Sequence, residues 1–158
     1  MFSTKSKQLF NAMLSCNSTR EIFGGVLSAD DIININNNTY KPKLYIVNSH
    51  EKGKQGEHWV VFFLASTHTE FWDSRAEKPE FYHDYWLSFL IVQGKPYVYN
   101  KTPIQDKLSS ACGYFCLIYA ILKAKSYSMC DIVNMFDSVY ISDNDAFAVS
   151  FVRKHLNI

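Results

Sequence analysis

The sequence predicts an α+β fold: a small, mostly antiparallel sheet flanked by helices. Three observations carry that expectation. Near both ends, apolar residues recur at helical spacing: Leu9, Phe10, Met13 and Leu14 at the start, Phe147, Phe151 and Val152 at the finish. Between them lie short runs rich in β-branched and aromatic residues, at 44–47, 58–64, 69–73 and 97–99. A polar stretch then gives way, from Tyr114, to an apolar run long enough for a buried helix. At 158 residues, with no internal repeat or linker, the chain 1–158 reads as a single domain able to bury a substantial core.

Taken in order, residues 2–14 suit an amphipathic first helix. Phe23-Gly24-Gly25-Val26 reads as a turn, its glycines permitting positive φ or close backbone approach. Ser28 is placed to cap a short helix carrying Asp30 and Asp31 in its first turn, and residues 34–39 form an Asn-rich loop. Residues 44–47 form a strand and 48–57 an exposed loop. The nearly continuous apolar run 58–64 is expected to be a central strand buried on both faces. After a turn at 65–68 the chain returns as the strand 69–73. Pro79 opens a helix running to about Val92, and Gln93-Gly94-Lys95-Pro96 turns into a short strand at 97–99. The helix beginning at Cys112 follows, then a short one at 128–136 and a last one from about Asp143. Ser142 and Asp145 are spaced as a capping box for that last helix, with Phe147, Phe151 and Val152 packing inward.

Composition narrows the function classes. The net charge is +1, and the basic residues are scattered, so binding to nucleic acid is not indicated. No apolar run approaches the roughly 18 residues that a membrane span needs. The first residues lack the layout of a signal peptide. Four cysteines (16, 112, 116 and 130), thinly spread, suit reduced thiols in an intracellular compartment, not a secreted disulfide framework. Aromatic residues make up 16% of the chain, enough for an aromatic-rich core or groove.

Cys112 sits where the polar stretch becomes the apolar helix, so its thiol falls in the first helical turn. Unpaired N–H groups and the positive dipole end there favour a thiolate. Gly113 removes bulk beside it, giving a substrate backbone room to approach. Gln105, just upstream, offers an uncharged amide donor that can loop back towards the sulfur. A thiolate beside a neutral donor is the chemistry of a nucleophile with an oxyanion hole. A base is also required. A turn centred between Ala65 and Ser66 would set His58 directly opposite Asp73 on adjacent antiparallel strands. The carboxylate then holds one imidazole nitrogen and leaves the other for the thiol. The remaining histidines (50, 68, 83 and 155) have no evident carboxylate partner at a strand end.

Plainer readings stand beside this one. A helical cysteine is usually inert core, a strand-end histidine is usually wetted by solvent, and Asp73-Ser74 readily starts a turn. Cys112 and Cys116 share a helix face and with a histidine could begin a zinc site, but no second ligand pair has zinc spacing. No metal and no cofactor are expected, and Cys116 is expected to pack behind the nucleophile.

With His58-Trp59, Phe71-Trp72-Asp73-Ser74 and Gln105 followed by Cys112-Gly113-Tyr114-Phe115-Cys116 in that order, the chain resembles the adenoviral endopeptidase (adenain) family. Its wider relatives are the SUMO and ubiquitin-like protein proteases. Phe23-Gly24-Gly25-Val26 adds to the match, which spans most of the chain. The resemblance implies a papain-like or adenain-like fold with the nucleophile at a helix N-terminus. It implies Cys112 as nucleophile, His58 as base, Asp73 orienting the histidine, and Gln105 donating to the oxyanion together with the Cys112 N–H. Trp59 would help wall a narrow groove for substrates cut after glycine, with Gly113 beside it. Ala111 and the spacing from Gln105 to Cys112 are similar to the adenoviral branch, whereas Asp73-Ser74 is similar to the SUMO-protease branch.

The function so implied is a viral cysteine endopeptidase that cuts structural (capsid) precursor proteins at Gly-containing sites during virion maturation. It would act in the cytoplasm or nucleus of an infected cell, or packaged in the virion, and would not be secreted. Polypeptide substrates are its expected partners, and a monomer its expected state. Adenain is activated by a disulfide-linked peptide and by DNA. No cysteine lies between Cys16 and Cys112 and the net charge is near zero, so neither activator is indicated here. Two alternatives stay open: a deubiquitinase or deSUMOylase acting on host conjugates, and a catalytically inactive binding module of the same fold.

Overall fold

In the computed structural model, residues 4–36, 41–54 and 58–158 are described. Parts of the expected first helix and of the 34–39 and 48–57 loops lie outside them. The centre is a five-stranded sheet in chain order: β1 (Phe23–Leu27), β2 (Lys43–Asn48), β3 (Trp59–Leu64), β4 (Thr69–Trp72) and β5 (Tyr97–Tyr99). β3 runs antiparallel to both β2 and β4, but β1 runs parallel to β2 and β5 parallel to β4. The sheet is therefore mixed, not mostly antiparallel. A parallel neighbour requires a crossover. A 3₁₀ helix (Ala29–Asn34) lies in the first crossover; α3 (Pro79–Tyr82) and α4 (Asp84–Val92) make the second.

All six residues of β3 are buried, as its unbroken apolar run requires. Residues of alternating parity serve two cores. On one face Val61, Phe63 and Trp72 pack with α1 (Ser6–Leu14), α5 (Cys112–Ala124) and α7 (Asn144–His155). On the other, Val60, Phe62 and Phe71 meet Trp86, Phe89 and Leu90 of α4, with Ala29 and Ile32 of the 3₁₀ helix. α5 is buried at every position from Cys112 to Leu122, because the sheet covers one side and α1, α7 and α2 (Asn17–Ile22) cover the rest.

The far end of α5 is tied to β4 by a buried carboxylate. Glu70 accepts from the Tyr119 hydroxyl and from Lys123 Nζ at 3.0 Å, and His68 Nε2 lies 2.6 Å from it. Tyr119 also stacks on Trp72, with ring centroids 4.3 Å apart. Because α5 is anchored there, its N-terminus falls at the opposite end of β3 and β4. His68 thus does have a carboxylate partner, contrary to the expectation from sequence, at the end of the sheet away from Cys112.

Four local expectations are corrected. Phe23-Gly24-Gly25-Val26 is strand β1, not a turn. The glycines are needed all the same: a Cβ on Gly24 would lie 2.3 Å from the Tyr45 ring, and Gly25 has φ +153° where the β1–β2 register shifts. The helix expected over 79–92 breaks at His83, which is extended (φ −152°, ψ 134°) and donates from Nε2 to Ser49 O at 2.7 Å. The capping box of Ser142 and Asp145 does not form, because a 3₁₀ turn (Ile141–Asp143) leads directly into α7. Phe147 is half-exposed at the surface, edge-on to Phe136, whereas Val152 is buried. The short helix expected at 128–136 is α6 (Met129–Val133), capped by Ser128 Oγ, which accepts from Asp131 N at 3.1 Å.

Candidate active site

Three elements converge at one end of the sheet. Cys112 is the first residue of α5, His58 immediately precedes β3, and Asp73 immediately follows β4. All three are buried, with exposures of 5%, 2% and 0%. β3 and β4 pair Val61 with Trp72 and Leu64 with Thr69, so the turn is centred between Ser66 and Thr67. His58 is therefore not directly opposite Asp73, as a tighter turn would have placed it. It lies two residues further along, on the same face, and reaches the carboxylate diagonally: Nε2 is 2.6 Å from Asp73 Oδ1.

Asp73 is fixed from several directions. Oδ1 also accepts from Arg75 N at 2.9 Å, and Oδ2 accepts from the Tyr82 hydroxyl at 2.6 Å and from Glu77 N at 3.3 Å. Its backbone exchanges hydrogen bonds with the Asn100 side chain, which stands at the end of β5. Burial alone would raise the pKa of this carboxyl, but His58, the Tyr82 hydroxyl and the Arg75 N–H outweigh burial and lower it. Tyr82 also stacks on the His58 ring, centroids 5.9 Å apart and planes 19° from parallel.

With Nε2 held by Asp73, the nitrogen left for the thiol is Nδ1. It is buried and completes no hydrogen bond of ordinary geometry, yet the ring is close enough to Cys112 for each to shift the other's titration. Burial opposes a charged ring; hydrogen bonding and charge from Asp73 and Cys112 win, and the His58 pKa rises to about 9. For Cys112, burial opposes the thiolate, but His58, the Trp59 backbone N–H and the Arg75 charge lower its pKa. Both shifts favour a thiolate–imidazolium pair. Cys116, one turn along, is fully enclosed, and burial pushes its thiol well above the ordinary value.

Gln105 is buried and oriented by two serines. Its backbone N–H donates to Ser74 O at 3.0 Å, and its side-chain oxygen accepts from the Ser74 hydroxyl. The amide nitrogen therefore faces away from Ser74 and donates to Ser109 O and Oγ at 3.2 and 3.1 Å. Arg75 Nη2 shares the Ser109 carbonyl at 3.1 Å. A cleft of about 1140 Å³ opens onto His58 and Gln105, bordered by Arg75, Tyr82, Phe81 and Lys101.

Trp59 and Gly113, the expected groove residues, follow His58 and Cys112 in sequence, but neither faces open space. Trp59 Nε1 donates to Thr4 O at 3.3 Å. A Cβ on Gly113 would lie 1.7 Å from Thr4 Oγ1, so Thr4 fills the room that the glycine creates.

Sequence reasoning did not find Tyr82, Ser74 or Asn100 as parts of the site. Asn100 carries a signal, a polar residue ending a strand beside Asp73. Tyr82 is indistinguishable in sequence from its aromatic neighbours, because only the break at His83 aims it. Among the described residues no three His, Cys, Asp or Glu side chains gather closely enough to hold a metal ion, and no helix is long and apolar enough to cross a membrane. Compared with models of known protein families the chain matches none, and compared with curated proteins it matches none.

Proposed function

We propose that this protein is a cysteine endopeptidase, with Cys112 as nucleophile, His58 as base and acid, Asp73 orienting His58, and Gln105 donating to the oxyanion. The observation that carries this reading is the approach of His58 Nε2 to Asp73 Oδ1, 2.6 Å apart, while the same ring interacts with Cys112, the first residue of a 13-residue helix. A buried histidine and carboxylate can be purely structural. A cysteine at a helix N-terminus, interacting with that same histidine and lowered in pKa by it, is what nucleophilic catalysis requires.

In this proposal the Cys112 thiolate attacks the scissile carbonyl, forming the C–S bond as the carbonyl oxygen becomes an oxyanion. The Gln105 amide and the Cys112 backbone N–H stabilise that charge. The His58 imidazolium then protonates the departing amine as the C–N bond breaks. A water, deprotonated by His58, attacks the thioester carbon; the C–S bond breaks, the acid product leaves, and the thiolate–imidazolium pair is restored. The fold proposed with this scheme is adenain-like; what supports it is the buried helix that begins at Cys112 against a mixed sheet whose strand ends carry His58 and Asp73. The substrates proposed are structural precursor proteins of an adenovirus-like virus, cut at Gly-containing sites.

The test is cleavage of extended Gly-containing peptides by the purified protein, against ubiquitin- and SUMO-type fluorogenic substrates, with Cys112→Ala as control. Turnover of the peptides, lost in the variant, is the expected result. Turnover of the conjugate substrates alone would reassign the enzyme to deconjugation. No turnover of either, with Cys112 no more reactive than a free thiol, would leave a binding module.

A further inference from the structure

We infer that Thr4 is a built-in competitor of the substrate, seated in the slot between Trp59 and Gly113 where the residue at the scissile bond would lie. The inference rests on the reading of Cys112 as the nucleophile.

Thr4 touches the residue after the base and the residue after the nucleophile, and it does so as a peptide substrate would. Its carbonyl accepts from Trp59 Nε1 at 3.3 Å, as a substrate carbonyl lying across the indole would. Its side chain occupies the volume that the missing Cβ of Gly113 vacates, 1.7 Å from where that atom would stand. Gly113 therefore leaves room against the start of α5, and in this structure Thr4 fills it, with the buried Leu9 side chain beside it.

The fit is close in shape but poor in polarity. Among the described residues, Thr4 Oγ1 is buried without a hydrogen-bond partner, an unfavourable state for a hydroxyl. A core contact under selection for stability alone would be served better by an apolar side chain, whereas an occupant that must leave gains from being held weakly. Cys112 itself is only 5% exposed, although the large cleft opens onto His58 and Gln105. A second groove, of about 470 Å³, runs past Thr4 and Lys5 to Trp59, so a longer chain could follow the same path. The competing ligand class is accordingly an extended polypeptide. It must present a carbonyl to Trp59 Nε1 and a small residue over Gly113.

The device is local. α1 begins at Ser6, and its entry is held by Lys5 N donating to Gln8 Oε1 at 2.8 Å, so release of Thr4 leaves the helix and its buried Leu9 and Met13 in place. With Thr4 seated nine-tenths of the time, apparent affinity for a peptide ligand falls about tenfold, and removing it restores that affinity.

Three full-fold proteins are compared: the parent chain, Thr4→Gly, and a chain lacking residues 2–4 that keeps Lys5. Each is reacted with iodoacetamide and with a glycine-terminated peptide vinyl sulfone, and modification of each cysteine is mapped by mass. We expect the peptide reagent to label Cys112 about tenfold faster in the truncated chain. Thr4→Gly should be intermediate, and a synthetic peptide of residues 1–8 added in trans should slow the truncated chain again. Equal or slower peptide labelling in both variants, with melting curves still cooperative, would overturn the inference. Iodoacetamide labelling of Cys112 no faster than that of Cys130 in all three proteins would overturn the nucleophile reading, and the inference with it.

Discussion

His58 and Asp73 meet diagonally, not face to face. Their strands pair Val61 with Trp72, which sets His58 two positions beyond the residue directly opposite the aspartate. The diagonal leaves room for Tyr82 to slide its ring beside the imidazole and bond the second carboxylate oxygen. Asp73, just after β4, and Tyr82, in α3, thereby fix the plane of the His58 ring.

Asp73→Asn removes the charge that helps hold the His58 pKa at about 9 and sets an NH₂ group against donors. Activity on a cleavable peptide should fall by about 10³–10⁴-fold, mainly in kcat, with the fold retained by circular dichroism.

Tyr82→Phe keeps the ring against His58 and deletes only the hydroxyl that donates to Asp73. A hydrogen bond to a charged group contributes about 1.5–3 kcal/mol. The expected result is a loss of that size or smaller in urea unfolding, with a fall in kcat and little change in KM. The acid limb of the pH profile should move upward as Asp73 becomes easier to protonate. Tyr82→Ala should be worse on every count, since it loses the stacking as well.

Gln105→Ala should lower kcat by about 10²–10³-fold, the usual effect of deleting one oxyanion donor, with KM nearly unchanged. Ser74→Ala frees the Gln105 amide to rotate and should lower kcat less. A peptide aldehyde, which forms the tetrahedral adduct, should lose affinity in parallel with kcat in both variants.

The site pKa shifts give a pH profile with defined signs. Activity should already be high below the ordinary thiol range, because Cys112 is lowered, and should fall as His58 loses its proton near pH 9. Stability follows the linkage rule. The raised His58 contributes stability fully below about pH 6.5, and that is lost as pH rises through about 9. The lowered Asp73 contributes above about pH 3.9, and that is lost as pH falls through its folded value. NMR titration of the His58 ring should give a lower pKa in Cys112→Ala than in the parent, since Cys112 is one cause of its rise.

Glu70→Ala strands Lys123, only 9% exposed, without its carboxylate at the far end of α5. Breaking a buried pair costs about 3–5 kcal/mol, so urea unfolding should shift by that order. In protein that remains folded, Cys112 reactivity should be unchanged, because the pair only anchors the end of the helix distant from the site.

Much of this arrangement was legible in the sequence. The unbroken run before Ala65 fixed β3 as the central strand, and the polar-to-apolar change at Cys112 fixed the start of α5. The histidine–aspartate meeting was legible despite a wrong turn centre, because the two-residue difference in register preserves the face of the sheet. The directions of β1 and β5 were not, since short strands do not announce whether a crossover or a hairpin joins them. Tyr82 was hidden because its aim depends on the backbone break at His83, and Thr4 because its neighbours Trp59 and Gly113 lie far away in the chain.

The central claim is an activated thiolate at Cys112. The most direct measurement is the iodoacetamide rate of each cysteine between pH 5 and 10, by mass mapping, with free cysteine as reference. Between pH 9 and pH 6 free cysteine slows by more than about 100-fold. The account predicts that Cys112 keeps most of its rate over that interval, and that His58→Ala makes it fall like the reference. A parent Cys112 that tracks free cysteine, with no change on His58→Ala, would contradict it.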